Sequence, residues 1–143
     1  MKEVILDTET TGLSVKDGHR VVEIGCIELE DLIPTKNKFH CYLNPQRKVS
    51  EKALAVHGYS DEFLSKQKKF SDVGEQFLAF IKDKRLIIHN AEFDLGHLNN
   101  ELSIFGKNKI ILGSDPPKWS VYKWLSYKDK NQIFRFEPHF NCF

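Results

Sequence analysis

At 143 residues with 41% hydrophobic content, the chain is sized for one domain built on a single modest core. A formal net charge of +1 lacks the basic excess that marks nucleic-acid binders by charge alone, and no run approaches the roughly 18 apolar residues that cross a bilayer. With no basic leader before an apolar stretch, and with Cys26, Cys41 and Cys142 showing neither metal-type spacing nor an even count, the expectation is a cytoplasmic protein with no membrane partner.

In chain order, Val4-Ile5-Leu6 is a short β-branched run that reads as a buried strand running into Thr10-Thr11-Gly12. Arg20 to Leu29 reads as a second strand, and Lys38 to Leu43 as a third, closed by Asn44-Pro45. Ser50 has the chemistry of an N-cap, with Glu51 in the first turn and His57-Gly58 ending the short helix that follows. Ser71 is read as the next N-cap, opening a helix whose Val73, Phe77, Phe80 and Ile81 share one face. Leu86-Ile87-Ile88 reads as another buried strand, and Ala91 to Phe105 as a helix packed through Phe93, Leu95, Leu98, Leu102 and Phe105. Three strands followed by a strand–helix unit predict an α/β fold, a mixed sheet flanked by helices.

Composition changes near Gly106. Residues 1–106 carry 14 Lys+Arg against 17 Asp+Glu, whereas 107–143 carry 7 against 3, with eight aromatic residues that include Trp119 and Trp124. The expected organisation is a domain over 1–106 and a basic, aromatic tail over 107–143.

Two segments carry chemistry. Asp7 and Glu9, at i and i+2 on a strand, face the same side at about 6 to 7 Å along it and can reach one site. Two acids at the end of an apolar strand are costly unless hydrated, paired or bound to a cation, and hard oxygen ligands suit hard cations. A bare D-x-E pair also describes a solvated strand end; here Gly12 follows, which lets a backbone approach a substrate closely. Asp94 lies just past the Leu86–Ile88 run where the chain turns into a helix, at a sheet edge of the kind where ligands collect. Complementing the helix dipole is its blander role.

Together, Asp7-Thr8-Glu9-Thr10-Thr11-Gly12, His89-Asn90-Ala91-Glu92-Phe93-Asp94 with Leu95-Gly96-His97-Leu98, and Val56-His57-Gly58 with Ser60-Asp61-Glu62-Phe63 resemble the DEDD superfamily of exonucleases. Within it they resemble the proofreading epsilon subunits of bacterial DNA polymerase III, in register over residues 2 to 106. The resemblance implies a ribonuclease-H-like fold and two-metal phosphodiester hydrolysis with Mg²⁺ or Mn²⁺. Asp7, Glu9 and Asp94 would then be catalytic metal ligands. Asp7, Glu9, Thr10, Lys52 and His57 would hold the terminal nucleotide, with hydroxyls of Thr10 and Thr11 contributing; Lys52 stands where the family has an acidic residue. A helix-terminal histidine bonding its own last carbonyls is the structural alternative for His57. His89 is expected to pack or hydrogen-bond, and Leu54 and Phe93 to belong to the core.

The family's third motif, H-x-x-x-x-D, is not found downstream of Asp94. His139, in Glu137-Pro138-His139-Phe140, is a poor candidate because proline disfavours a helix interior, so the general base is unassigned and turnover by this chain alone is expected to be weak. The implied partners are a DNA 3′ end and the catalytic subunit of the polymerase. Two further readings stay open: a catalytically silent module that binds nucleic-acid ends or a polymerase subunit, with lysines and aromatics of the tail contacting phosphate and bases, and an exonuclease that trims RNA ends.

Overall fold

The computed structural model describes residues 1–110 and 121–123 of the chain. Strand β1 (Lys2–Thr10) is followed by a 3-10 turn (Val15–Asp17), then β2 (Val21–Glu30), β3 (Ile33–Tyr42), α1 (Glu51–His57), α2 (Asp61–Ser65), α3 (Phe70–Ile81), β4 (Arg85–Ile88), α4 (Ala91–Ile104) and β5 (Val121–Lys123). The five-stranded sheet has the order β3-β2-β1-β4-β5, with β1 antiparallel to β2, β2 antiparallel to β3, and β4 parallel to both β1 and β5. The expected mixed sheet flanked by helices is therefore present.

Alternation along the strands sends Val4 and Leu6 of β1, Ile24 and Cys26 of β2, and Leu86 and Ile88 of β4 into the main core. There they meet Phe70, Val73, Phe77 and Ile81 of α3 and Ala91, Leu95, Leu98 and Leu102 of α4. Phe77 and Leu98 are fully buried. A smaller cluster of Val22, Tyr59 and Leu64 sits under α2.

Three local expectations change. Strand β3 begins at Ile33, five residues before Lys38, because the Asp31-Leu32 loop takes two positive φ values (50° and 66°) that match the strand twist of a tight hairpin. Its first half is mostly exposed on the sheet edge, where Pro34 is tolerated and no apolar alternation marks the strand. Helix α3 starts at Phe70 with Lys69 as the N-cap, not Ser71, because the Asp72 carboxylate accepts from Lys69 N at 2.9 Å and fills the capping role from inside the first turn. The third change is α2, a short helix capped by Ser60 through Phe63 N at 3.1 Å. Ser50 caps α1 through Ala53 N at 3.2 Å, as expected, and Gly58 ends it at φ 76°.

Leu54 is 42% exposed and does not join the core. Among the described residues no helix is long and apolar enough to cross a membrane. His139, Cys142, both tryptophans and most of the 107–143 segment lie outside the described residues.

Candidate active site

The site forms where β1 and β4 end side by side. Leu6 pairs with Ile88, so Asp7 and Glu9 continue β1 just beyond the last residue of β4. Helix α4 begins at Ala91, which puts Asp94 in its first turn, directly under that edge. Thr8, between the two acids, turns to the α4 side: its backbone N donates to Asp94 Oδ1 at 3.1 Å and its hydroxyl to the same oxygen at 2.7 Å. Asp94 is 3% exposed. The alternation that sends Asp7 and Glu9 one way thus makes Thr8 the anchor for Asp94.

All three carboxylates have raised pKa values, chiefly through burial, and Asp7 adds repulsion at both Glu9 and Asp94. Burial pushes Glu9 up to about 7, with repulsion from Asp7, Glu23 and Asp94 adding to it. Burial also pushes Asp94 up to about 6, against the hydrogen bond from Thr8 and with repulsion from Asp7. Asp7 is raised too, chiefly by burial and then by Glu23, with the Thr8 amide and His89 pulling the other way. None of the three forms an ion pair with a lysine or arginine among the described residues.

Such a set of hard, buried oxygen donors is the donor chemistry a divalent cation fits, since a cation's charge would offset the cost of ionising them away from water. Among the described residues no group of three or more His, Cys, Asp and Glu side chains is drawn together in metal-holding geometry. The fit is therefore one of charge and donor type; closing the ligands around an ion requires side-chain rotation.

Beside the carboxylates lies an open cleft of about 550 Å³, lined by Glu9, Thr10, Gly12, Leu13, His19, Lys52, Ala53, Val56, His57 and Phe93, among others. The sequence-predicted residues Glu9, Thr10, Lys52 and His57 meet there, and Asp7 and Asp94 interact with Glu9 at its edge. The hydroxyls behave differently from expectation. Thr10 Oγ1 donates to Gly12 O at 2.6 Å, and fully buried Thr11 places its Oγ1 2.9 Å from His19 Nδ1 while accepting from Arg20 N at 3.0 Å. Both hydroxyls shape the loop from within because backbone groups there need partners. Lys52 is exposed on α1. His89 is exposed at the end of β4.

Four residues at this end of the sheet were not anticipated. The His19 ring sits so close to Gly12 that a Cβ there would meet it at 2.3 Å, so a side chain at this position would have to displace the ring. Arg20 makes a bidentate pair with buried Glu101, at 2.7 and 2.8 Å, which ties the start of β2 to α4. Glu23 is 5% exposed and bonded to Tyr59 and His40. A lone acid inside the apolar Val21–Ile27 run was the signal for Glu23; the aromatic and histidine partners are distant in sequence and left none.

Comparisons with known proteins bear on the family and the fold of the chain. Residues 4–133 match the family model described as exonuclease (RNase_T), a match that continues past the composition change at Gly106. A DNA polymerase III subunit epsilon of Rickettsia typhi is 48% identical over 110 residues, covering 77% of this chain and 48% of that protein. Its counterpart in Escherichia coli K12 is 40% identical over 125 residues, covering 85% and 49%. The chain thus spans about half the length of the curated relatives it matches.

Among solved structures, a zinc-bound E. coli exonuclease I complex with single-stranded DNA superposes with a TM-score of 0.74 at 12% identity, over 85% of this chain and 27% of that one, a likeness of fold. Exonuclease X bound to 5′-overhanging duplex DNA gives a TM-score of 0.56 at 26% identity, over 66% and 52%. Exonucleases of this kind generally use divalent metal ions. With carboxylates of β1 and α4 gathered where β1 and β4 end, a cleft beside them and a family match over most of its length, the chain belongs to the exonuclease (RNase_T) family, with a ribonuclease-H-like fold.

Proposed function

We propose that the chain is the 3′-to-5′ exonuclease portion of a proofreading subunit of the DNA polymerase III epsilon type, removing mismatched nucleotides from a DNA 3′ end. The observation that carries this reading is the carboxylate set Asp7, Glu9 and Asp94, gathered where β1 and β4 end, with Glu9 lining the cleft. Asp7, Glu9 and Asp94 would hold two divalent cations, Mg²⁺ or Mn²⁺. When bound, these would activate water and stabilise the departing 3′ oxygen.

The chain's own residues do the rest. Thr8 holds Asp94 at a fixed height under the strand end, so one ligand is oriented before any ion arrives. Thr10, with its hydroxyl turned to Gly12, offers backbone at the cleft wall, and exposed Lys52 supplies positive charge for a phosphate at the rim. Exposed Leu13 and Val56 give the cleft apolar surface against which a terminal base can lie. The curated relatives' name supports a polymerase catalytic subunit as partner, and with it a cytoplasmic location.

The test is cleavage of a mismatched, 3′-labelled primer with Mg²⁺ or Mn²⁺, comparing the chain with Asp7→Ala. Loss of cleavage in the variant supports the metal site. An intact fold that leaves the primer uncut would favour a module that binds ends without hydrolysing them.

A further inference from the structure

His57 closes α1, and both nitrogens of its ring are engaged within the protein. Tyr59 N donates to His57 Nδ1 at 3.0 Å, and His57 Nε2 lies 3.1 Å from the Thr10 carbonyl. A nitrogen that accepts from an amide carries no proton, so Nε2 is the donor and the ring is the neutral Nε2–H tautomer. A protonated ring would set Nδ1–H against the Tyr59 N–H.

The arrangement reaches further back. The Tyr59 ring stacks on the imidazole at a centroid distance of 4.8 Å and 17° between planes. Its hydroxyl donates to Glu23 Oε2 at 2.6 Å, and His40 Nε2 meets the other Glu23 oxygen at 2.7 Å. His57, Glu23 and Tyr59 are 2%, 5% and 8% exposed. Glu23 also stands directly opposite Glu9 in the β1–β2 ladder. Burial lowers the His57 pKa, in keeping with a neutral ring.

We infer that Glu23 and Tyr59 are positioning residues which lock His57 against the Thr10 carbonyl, so that His57 forms a fixed wall of the cleft beside Glu9. His57 then meets a nucleotide by packing and is not its proton acceptor. This rests on the nuclease reading only for the identity of the ligand; the locked ring is a separate matter.

The arrangement can be tested on the full chain with long-range ¹H–¹⁵N spectra of the imidazoles and with titration of thymidine 5′-monophosphate in Mg²⁺. The expected spectrum has His57 as Nε2–H with an unprotonated Nδ1 at pH 7, before and after the nucleotide. Tyr59→Phe, which keeps the backbone N–H that holds Nδ1 and removes only the hydroxyl bound to Glu23, should leave the tautomer in place, speed solvent exchange of the His57 Nε2–H and weaken nucleotide binding about tenfold, the lower range for losing a group that orients a site residue. Glu23→Ala should do the same, and Glu23→Gln, which keeps an acceptor for Tyr59, should recover most of the affinity.

A charged or Nδ1–H ring in the unaltered chain would overturn the inference. So would a Tyr59→Phe protein in which exchange of the His57 Nε2–H is as slow as in the unaltered chain, and this variant decides the matter if Glu23→Ala does not fold. An unaltered chain that binds no nucleotide would count against the nuclease reading, while the tautomer and the Nε2–H exchange in Tyr59→Phe still decide the role of the ring.

Discussion

Buried carboxylates occupy both ends of the central strands, and the protein treats them in opposite ways. At the N-terminal end of β1, Glu28 is 1% exposed and receives Lys84 at 2.7 Å, Lys2 at 3.3 Å, Asn37 at 3.0 Å and Thr35 at 3.1 Å. Hydrogen bonds from Lys84 and Asn37 are the leading causes that hold its carboxyl down at about 2. At the other end, Glu9 is pushed up to about 7 and Asp94 to about 6, with burial unopposed by any lysine or arginine pair among the described residues. The desolvation is similar in kind, and the local countercharge decides its sign. One cluster closes the fold; the other is left without a protein countercharge, as the cation site proposed above requires.

Four changes would break or sharpen this contrast. The largest effect is expected for Asp7→Asn: primer cleavage in Mn²⁺ should fall by about 10³-fold, roughly 4 kcal/mol, since even groups one step removed from a metal ligand cost 10- to 100-fold. Its melting temperature in chelator should not fall. Next, Glu28→Ala leaves Lys84 unpaired beside a buried gap, and urea unfolding should register a loss of about 3 kcal/mol, with Mn²⁺ affinity by titration unaltered. A change in Mn²⁺ affinity there would mean that the two ends are not independent.

The pH dependence in chelator should carry both signs. Glu9 and Asp94 have raised folded-state values, so their ionisation costs stability, and this cost disappears as pH falls through about 7 and 6. Allowing for solvent screening of the partly exposed Glu9, unfolding should become harder by about 1 to 2 kcal/mol between pH 8 and 5. Glu28 is depressed, so its contribution is complete above its ordinary value of 4.5 and is lost as pH falls through about 2. Divalent cation should flatten the upper limb, because it binds the ionised site of the folded state. The smallest effect is Glu9→Gln, expected to stabilise the chelated protein at pH 8 by about 1 kcal/mol while weakening its stabilisation by Mn²⁺.

Much of the site could be read in advance because its signals are local. The D-T-E-T-T-G and H-N-A-E-F-D segments each end an apolar run, and strand alternation alone puts Asp7 and Glu9 on one side. What failed to show was anything carried by partners distant in sequence. The exposed first half of β3 has no apolar period, and its boundary comes from pairing with β2 across the Asp31-Leu32 turn. Ser71 looked like a cap from its residue type, yet Asp72 reaching back to Lys69 N sets the start of α3. The hydroxyls of Thr10 and Thr11 turned inward to satisfy neighbouring groups of the loop.

From the order of its residues alone, then, this chain determined the order of most of its strands and helices, which acids share a strand face, and which family it resembles, since these depend on periodicity and short motifs. Only the tertiary structure decided that Asp94 hangs from Thr8, that Glu28 is neutralised by Lys84 and Lys2 while Glu9 is not, and that Tyr59 holds His57 in one tautomer. Each of those outcomes is a charge or a proton assigned by a neighbour brought close through folding, and electrostatic energy depends on distance in space, which sequence spacing does not encode.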